Sequence, residues 1–155
     1  MKRVIAYLLL MLGFYTAAGL AIAYDQVAFP SDSLRLLATC ATIGGLGGVT
    51  YCLRAVYLNA CVHKRWGNDW LPWYFIRPIV SLITGAVSCL FLQAGLIVFE
   101  ASQTDSPTNL AFYALAFVAG LNVDKFIQKV EEIAEVTWGI KKSRTASDGS
   151  SNESD

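Results

Sequence analysis

The side chains whose types could do chemistry are few: four cysteines (Cys40, Cys52, Cys61 and Cys89), the sole histidine His63, and two arginines, Arg54 and Arg77, beside long apolar runs. Their spacing matches no reactive pattern. The cysteines form no CxxC pair and no Cys/His ligand set, and in apolar sequence a thiol packs as a small hydrophobe. His63 has no second histidine or nearby carboxylate, so it reads as a polar residue near a helix end. No phosphate loop, nucleophile elbow or zinc-protease motif occurs. The expectation is a non-enzymatic protein with no catalytic residues, no cofactor and no metal.

The apolar runs themselves place these groups. Residues 79–99 are 21 positions without a charge, about 31 Å as a helix, which is the thickness of a bilayer's hydrocarbon core. Just before them stand Trp66, Trp70, Trp73, Tyr74 and Phe75, with Arg77-Pro78. Indole and phenol rings favour the headgroup level, where an apolar body meets lipid and a polar edge meets water. Residues 4–23 and 36–53 are also uncharged. Residues 108–123 are uncharged but short, and are compatible with a crossing or with a re-entrant segment. Composition agrees: 55% of the chain is hydrophobic, 15% is charged and the mean hydropathy is +0.46. Soluble domains carry about 25% charged residues. The predicted fold class is an all-α membrane protein with four transmembrane helices.

Residues 4–23 follow Lys2 and Arg3 and end in Ala21-Ile22-Ala23, which resembles a signal-peptide cleavage site. The run exceeds the length of a signal's apolar core, so a retained first helix is expected. A polar stretch with Pro30 follows, and Asp32 or Ser33 is positioned to cap the second helix. That helix carries Gly44-Gly45-Leu46-Gly47-Gly48, in which Gly44 and Gly48 form a GxxxG pair. Ser81, Gly85 and Ser88 place a small-residue stripe on the third helix. Small faces let backbones approach closely, within one chain or between subunits, so these five residues are the candidate helix-packing or oligomer interface. Gln93 calls for a hydrogen-bond partner on a neighbouring helix. Arg54, Trp66, Trp70, Trp73 and Arg77 are expected to be interfacial anchors.

Beyond residue 122 the pattern becomes amphipathic. Phe126, Ile127, Val130, Ile133 and Ala134 share one face, opposite Lys125, Lys129, Glu131, Glu132 and Glu135. A cytoplasmic helix is expected over 122–140, following a four-helix domain over 1–121. Residues 141–155 lack the apolar content to fold and read as a disordered tail.

Charge sets the orientation. Lys2, Arg3, Arg54, Lys64, Arg65, Arg77, Lys125, Lys129, Lys141, Lys142 and Arg144 fall in alternate segments, and only Arg35 falls in the others. Lysine and arginine accumulate on the cytoplasmic side. Four crossings with both termini cytoplasmic satisfy that rule. The layout is similar to small bacterial inner-membrane proteins with four spans and cytoplasmic ends, a likeness of architecture alone. With Lys+Arg 12 against Asp+Glu 12, nothing favours nucleic acid.

Two functions are compatible with this pattern. One is an oligomeric membrane anchor or sensor that recruits a cytosolic partner through the C-terminal helix; its mixed-charge polar face favours protein over an anionic lipid surface. The other is an oligomeric channel or depolarising effector lined by the small-residue faces, since carbonyls and hydroxyls can line an ion path. A transporter or exclusion factor with a defined ligand is a weaker third.

Overall fold

The computed structural model describes residues 2–62, 71–95 and 109–139, which form helices joined by turns, with no strand among them. Five α-helices follow in order: α1 (Lys2–Ala23), α2 (Asp32–Tyr57), α3 (Leu71–Gln93), α4 (Leu110–Leu121) and α5 (Val123–Trp138). A π-helical turn, Leu58–Val62, prolongs α2 so that the two together run for 31 residues. Three helices are long and apolar enough to cross a membrane, and α4 with α5 makes a possible fourth crossing only as a bent pair. The chain divides into two compact units, Met1–Val123 and Asp124–Asp155.

Local chemistry sets the ends of these helices. Ser31, rather than Asp32 or Ser33, caps α2: its side-chain oxygen accepts from the Leu34 N–H at 3.3 Å. Asp32 occupies the first turn, where a carboxylate favours the positive end of the helix dipole. Helix α3 begins eight residues before the apolar run at Ile79 and contains Pro78 in its interior. Pro78 has no N–H to donate and its ring disrupts the preceding turn. Two tyrosines of α1 bind the backbone there: Tyr7 donates to the Phe75 carbonyl and Tyr15 to the Pro78 carbonyl, each at 3.2 Å. Helix α3 yields to a turn at Gly95 (φ 70°). The last residues of the predicted third span, 96–99, lie outside the described residues.

Helices α2 and α3 pack antiparallel along small residues. Cys40 shares a buried cluster with Cys89, Gly44 faces Gly85, and Gly48 faces Ser81. Each step of four along α2 is thus answered by a step of about four backwards along α3, which keeps both stripes facing each other. Helix α1 lies antiparallel on the next face of α2: Val4 and Leu8 join Val49, Cys52, Val56 and Tyr74 in one core, and the Tyr15 ring fills the space over Gly45.

Helix α4 runs in the same direction as α2. Phe112 and Tyr113 pack near Leu36, Leu37 and Cys40, while Gly120 abuts Gly44 and the Leu121 backbone abuts Gly47. The helix is 12 residues long, about 18 Å, and stops at the middle of the 31-residue α2 assembly. Asn122, with φ −122° and ψ 55°, separates it from α5.

Candidate functional site

The candidate interface glycines are buried within the chain itself. A β-carbon on Gly44 would stand 2.6 Å from the Gly85 Cα, and one on Gly48 would stand 2.1 Å from the Ser81 Oγ. Gly44, Gly48, Ser81, Gly85 and Ser88 are all buried. Gly44 faces α3 and α4, Gly48 faces α3, and Ser81 and Gly85 face α2, which is the intramolecular form of the packing that the sequence allowed. Gly47 and Gly120 belong to the same seam: a β-carbon on either would fall within 2.4 Å of a carbonyl oxygen on the facing helix. Gly120 was not singled out from sequence, although Ala116, Ala119 and Gly120 supply a small face at i, i+3, i+4.

Hydroxyls in this interior are mostly turned to their own helices. Thr84 donates to the Val80 carbonyl and Ser88 to the Gly85 carbonyl, each at 2.8 Å, and Thr39, Thr42 and Thr50 bond in the same local way. Ser81 is the exception: its Oγ is fully buried against Gly48 and finds no hydrogen-bond partner. Gln93 does not reach a neighbouring helix as expected; its Nε2 approaches the Cys89 Sγ of its own helix at 3.7 Å. Polarity one turn away satisfies it.

Of the expected anchors, Arg77 differs most from its sequence reading. Only 6% of it is exposed, and its guanidinium stands 4.9 Å from the Tyr51 ring centre and 5.4 Å from that of Trp73. Trp73 in turn meets Tyr51 at 5.8 Å and Tyr74 at 5.1 Å, edge-on to the latter. The ring faces carry negative charge density, which favours a cation held between them. Asn59 completes the cluster by donating to the Tyr74 hydroxyl at 3.1 Å. Arg77 is thus a packed element of the α2–α3 contact. Arg54 is exposed, one turn from the Tyr57 end of α2. Trp66, Trp70 and His63 lie outside the described residues, as does the tail over 141–155.

A hollow of about 190 Å³ opens beside this cluster, lined by Tyr51, Arg54, Ala55 and Leu58. Its position follows from the length of α4. Gly47, which faces Phe117 and Leu121, shares a stripe of α2 with Tyr51, Arg54 and Leu58 at i, i+4, i+7, i+11. Helix α4 covers that stripe as far as Gly47 and then ends.

Among the described residues, the cations of this unit lie at two ends. Val4 packs with Val56 and Tyr74, so Lys2 and Arg3 sit at the same end as Arg54 and Arg77. Arg35 alone lies at the other end, where it pairs with Asp25 at 2.7 Å and donates to the Ile22 carbonyl at 3.1 Å. That arginine closes the C-terminus of α1.

In α5, the candidate partner-binding residues Phe126, Val130, Ile133 and Ala134 are half-buried and Ile127 is 45% exposed. Val136 and Trp138 beyond them are exposed as well. Lys129 and Glu132 form an ion pair at 2.6 Å on the polar side. Among the described residues no group of His, Cys, Asp and Glu could hold a metal ion. No family model, curated protein or solved structure matches the chain.

Proposed function

We propose that the chain is a non-enzymatic membrane protein that presents α5 to a cytosolic partner, with both termini in the cytoplasm. Support for membrane residence comes from the large apolar side chains on the surface of the first unit. Its interior holds Ser81, Thr84, Ser88 and Arg77, while Leu9, Leu10, Phe14, Leu20, Ile76, Ile79, Ile83 and Leu90 are 50% exposed or more. Water would penalise such a surface and hydrocarbon would not. The burial of Val4, Leu8 and Tyr15 supports a first helix that is kept. Helix α4 enters at the Leu36 end and points toward the cation-rich end, the direction a fourth crossing requires. The bacterial inner membrane is the setting this layout suits.

The observation that carries the recruiting role is α5 itself. It is 16 residues long, amphipathic, and its polar side carries lysine toward the N-terminus and glutamate toward the C-terminus. A surface of that kind binds protein in preference to anionic lipid. Oligomer formation, which also belongs to this reading, would use α5 or the outer faces, because the glycine faces are already packed. For the same reason the pore reading has less support: the small faces of α2 and α3 contact each other. Deleting residues 122–140 should abolish co-purification of the partner while the protein still resists alkaline extraction from membranes. A partner that stays bound to the deleted form would refute the recruiting role.

A further inference from the structure

We infer that the hollow beyond the end of α4 is a binding site for the phosphate of an anionic phospholipid, with Arg54 as its ligand. The inference rests on the membrane reading above and adds a specific lipid contact to it. Three observations converge. First, α4 ends against Gly47, and further along α2 a hollow of about 190 Å³ opens, lined by Tyr51, Arg54, Ala55 and Leu58. Second, Arg54 is exposed there and, among the described residues, meets no carboxylate; the ion pairs present are Arg35 with Asp25 and Lys129 with Glu132. Third, a second guanidinium stands behind the wall, because Arg77 lies against the Tyr51 ring that lines the hollow.

The chemistry of the lining selects the occupant. Arginine's planar fork binds a phosphate diester through two parallel N–H···O bonds. Ala55 and Leu58 offer only hydrocarbon, which suits the glycerol and acyl portion of a lipid better than a hydrated free anion. The level is also right: Arg54 follows directly on the uncharged run 36–53, at the end where Lys2, Arg3 and Arg77 gather. Basic pockets between helices on the cytoplasmic side are where anionic headgroups bind.

The test uses the purified full-length chain in detergent micelles, with bound lipid read by native mass spectrometry. Phosphatidylglycerol and phosphatidylcholine of identical acyl chains are the probes. The wild type should hold phosphatidylglycerol about tenfold more tightly than phosphatidylcholine, because choline's cation offsets the charge of the same phosphate diester and competes with the arginine for it. Arg54→Gln should lose that preference and Arg54→Lys should keep part of it. Leu58→Trp, which fills the hollow and retains the arginine, should lose it too, and circular dichroism confirms that each variant is folded. Equal affinity of the wild type for both lipids would overturn the proposal, as would a preference that survives in both folded Arg54→Gln and Leu58→Trp. Displacement of the lipid by inorganic phosphate would reassign the site to a soluble anion and overturn the lipid assignment. Failure of the membrane reading shows separately, as release of the wild type by alkaline extraction.

Discussion

Gly44 and Gly85 meet backbone to backbone: a β-carbon on the first would lie 2.6 Å from the Cα of the second, and one on the second 2.7 Å from the Cα of the first. Neither atom is the end of a flexible side chain, so relief requires the helices themselves to part. Gly44→Ala is therefore expected to destabilise the fold by about 1–3 kcal/mol, the usual cost of overpacking a close contact. Gly13 is the control. Nothing lies within 4 Å of its β-carbon position, and Gly13→Ala should be neutral or stabilise by about 0.5–1 kcal/mol through helix propensity. Thermal unfolding of both variants in detergent checks the pair.

Gly120 tests the other side of the same seam. Its β-carbon would fall on the Gly44 carbonyl, and α4 is only 12 residues long. Gly120→Val should loosen α4 while α1, α2 and α3 stay packed, because the antiparallel α2–α3 contact does not involve residue 120. Hydrogen exchange should show protection lost over 110–121 and kept over 40–52. Uniform loss across all four helices would contradict this separation.

Arg35 joins two helices with one side chain, so its two partners can be told apart. Asp25 is 74% exposed, and an ion pair so open to water contributes less than about 1 kcal/mol. Asp25→Asn should thus cost little. Arg35→Ala also removes the donor to the Ile22 carbonyl and should cost more, about 1–2 kcal/mol. Chemical denaturation of the two variants measures the difference. Equal losses would mean that the ion pair, and not the helix cap, fastens the connection between α1 and α2.

Much of this architecture is legible in the residues. Uncharged runs locate α1, α2 and α3, and the glycine and serine stripes announce close helix contact. What the stripes do not carry is their partner: Gly44 looks the same whether it faces Gly85 of its own chain or a second copy, since the physical requirement is only the lack of a side chain. Arg77 misleads for a related reason. A charge next to Pro78 and ahead of an apolar run reads as the start of a membrane helix. The rings it lies against, Tyr51 and Trp73, are brought together only by folding. The stop of α4 against Gly47, which creates the hollow at Arg54, is likewise a matter of register between helices.

The burial of Arg77 can be tested by its chemistry. Lysine keeps the charge but not the flat guanidinium that stacks on two rings, so Arg77→Lys is not a conservative change. In a double-mutant cycle with Trp73→Leu, measured by unfolding, the coupling should be about 0.5–2 kcal/mol. A coupling near zero would leave proximity without stabilisation, and the arginine would then act through its other neighbours.

The orientation has a built-in reporter. Cys61 is exposed in the π-helical turn after α2, whereas Cys40, Cys52 and Cys89 are buried. A folded chain should therefore react with one equivalent of maleimide and a denatured chain with all 4. Cys61 also lies at the end of the first unit that carries Lys2, Arg3, Arg54 and Arg77, the end that the proposed orientation puts in the cytoplasm. A membrane-impermeant maleimide should leave it unmodified in intact cells and label it in inverted vesicles. Cys61→Ser should abolish that label without altering helicity. Labelling from outside intact cells would reverse the topology, and α5 would then face away from any cytosolic partner.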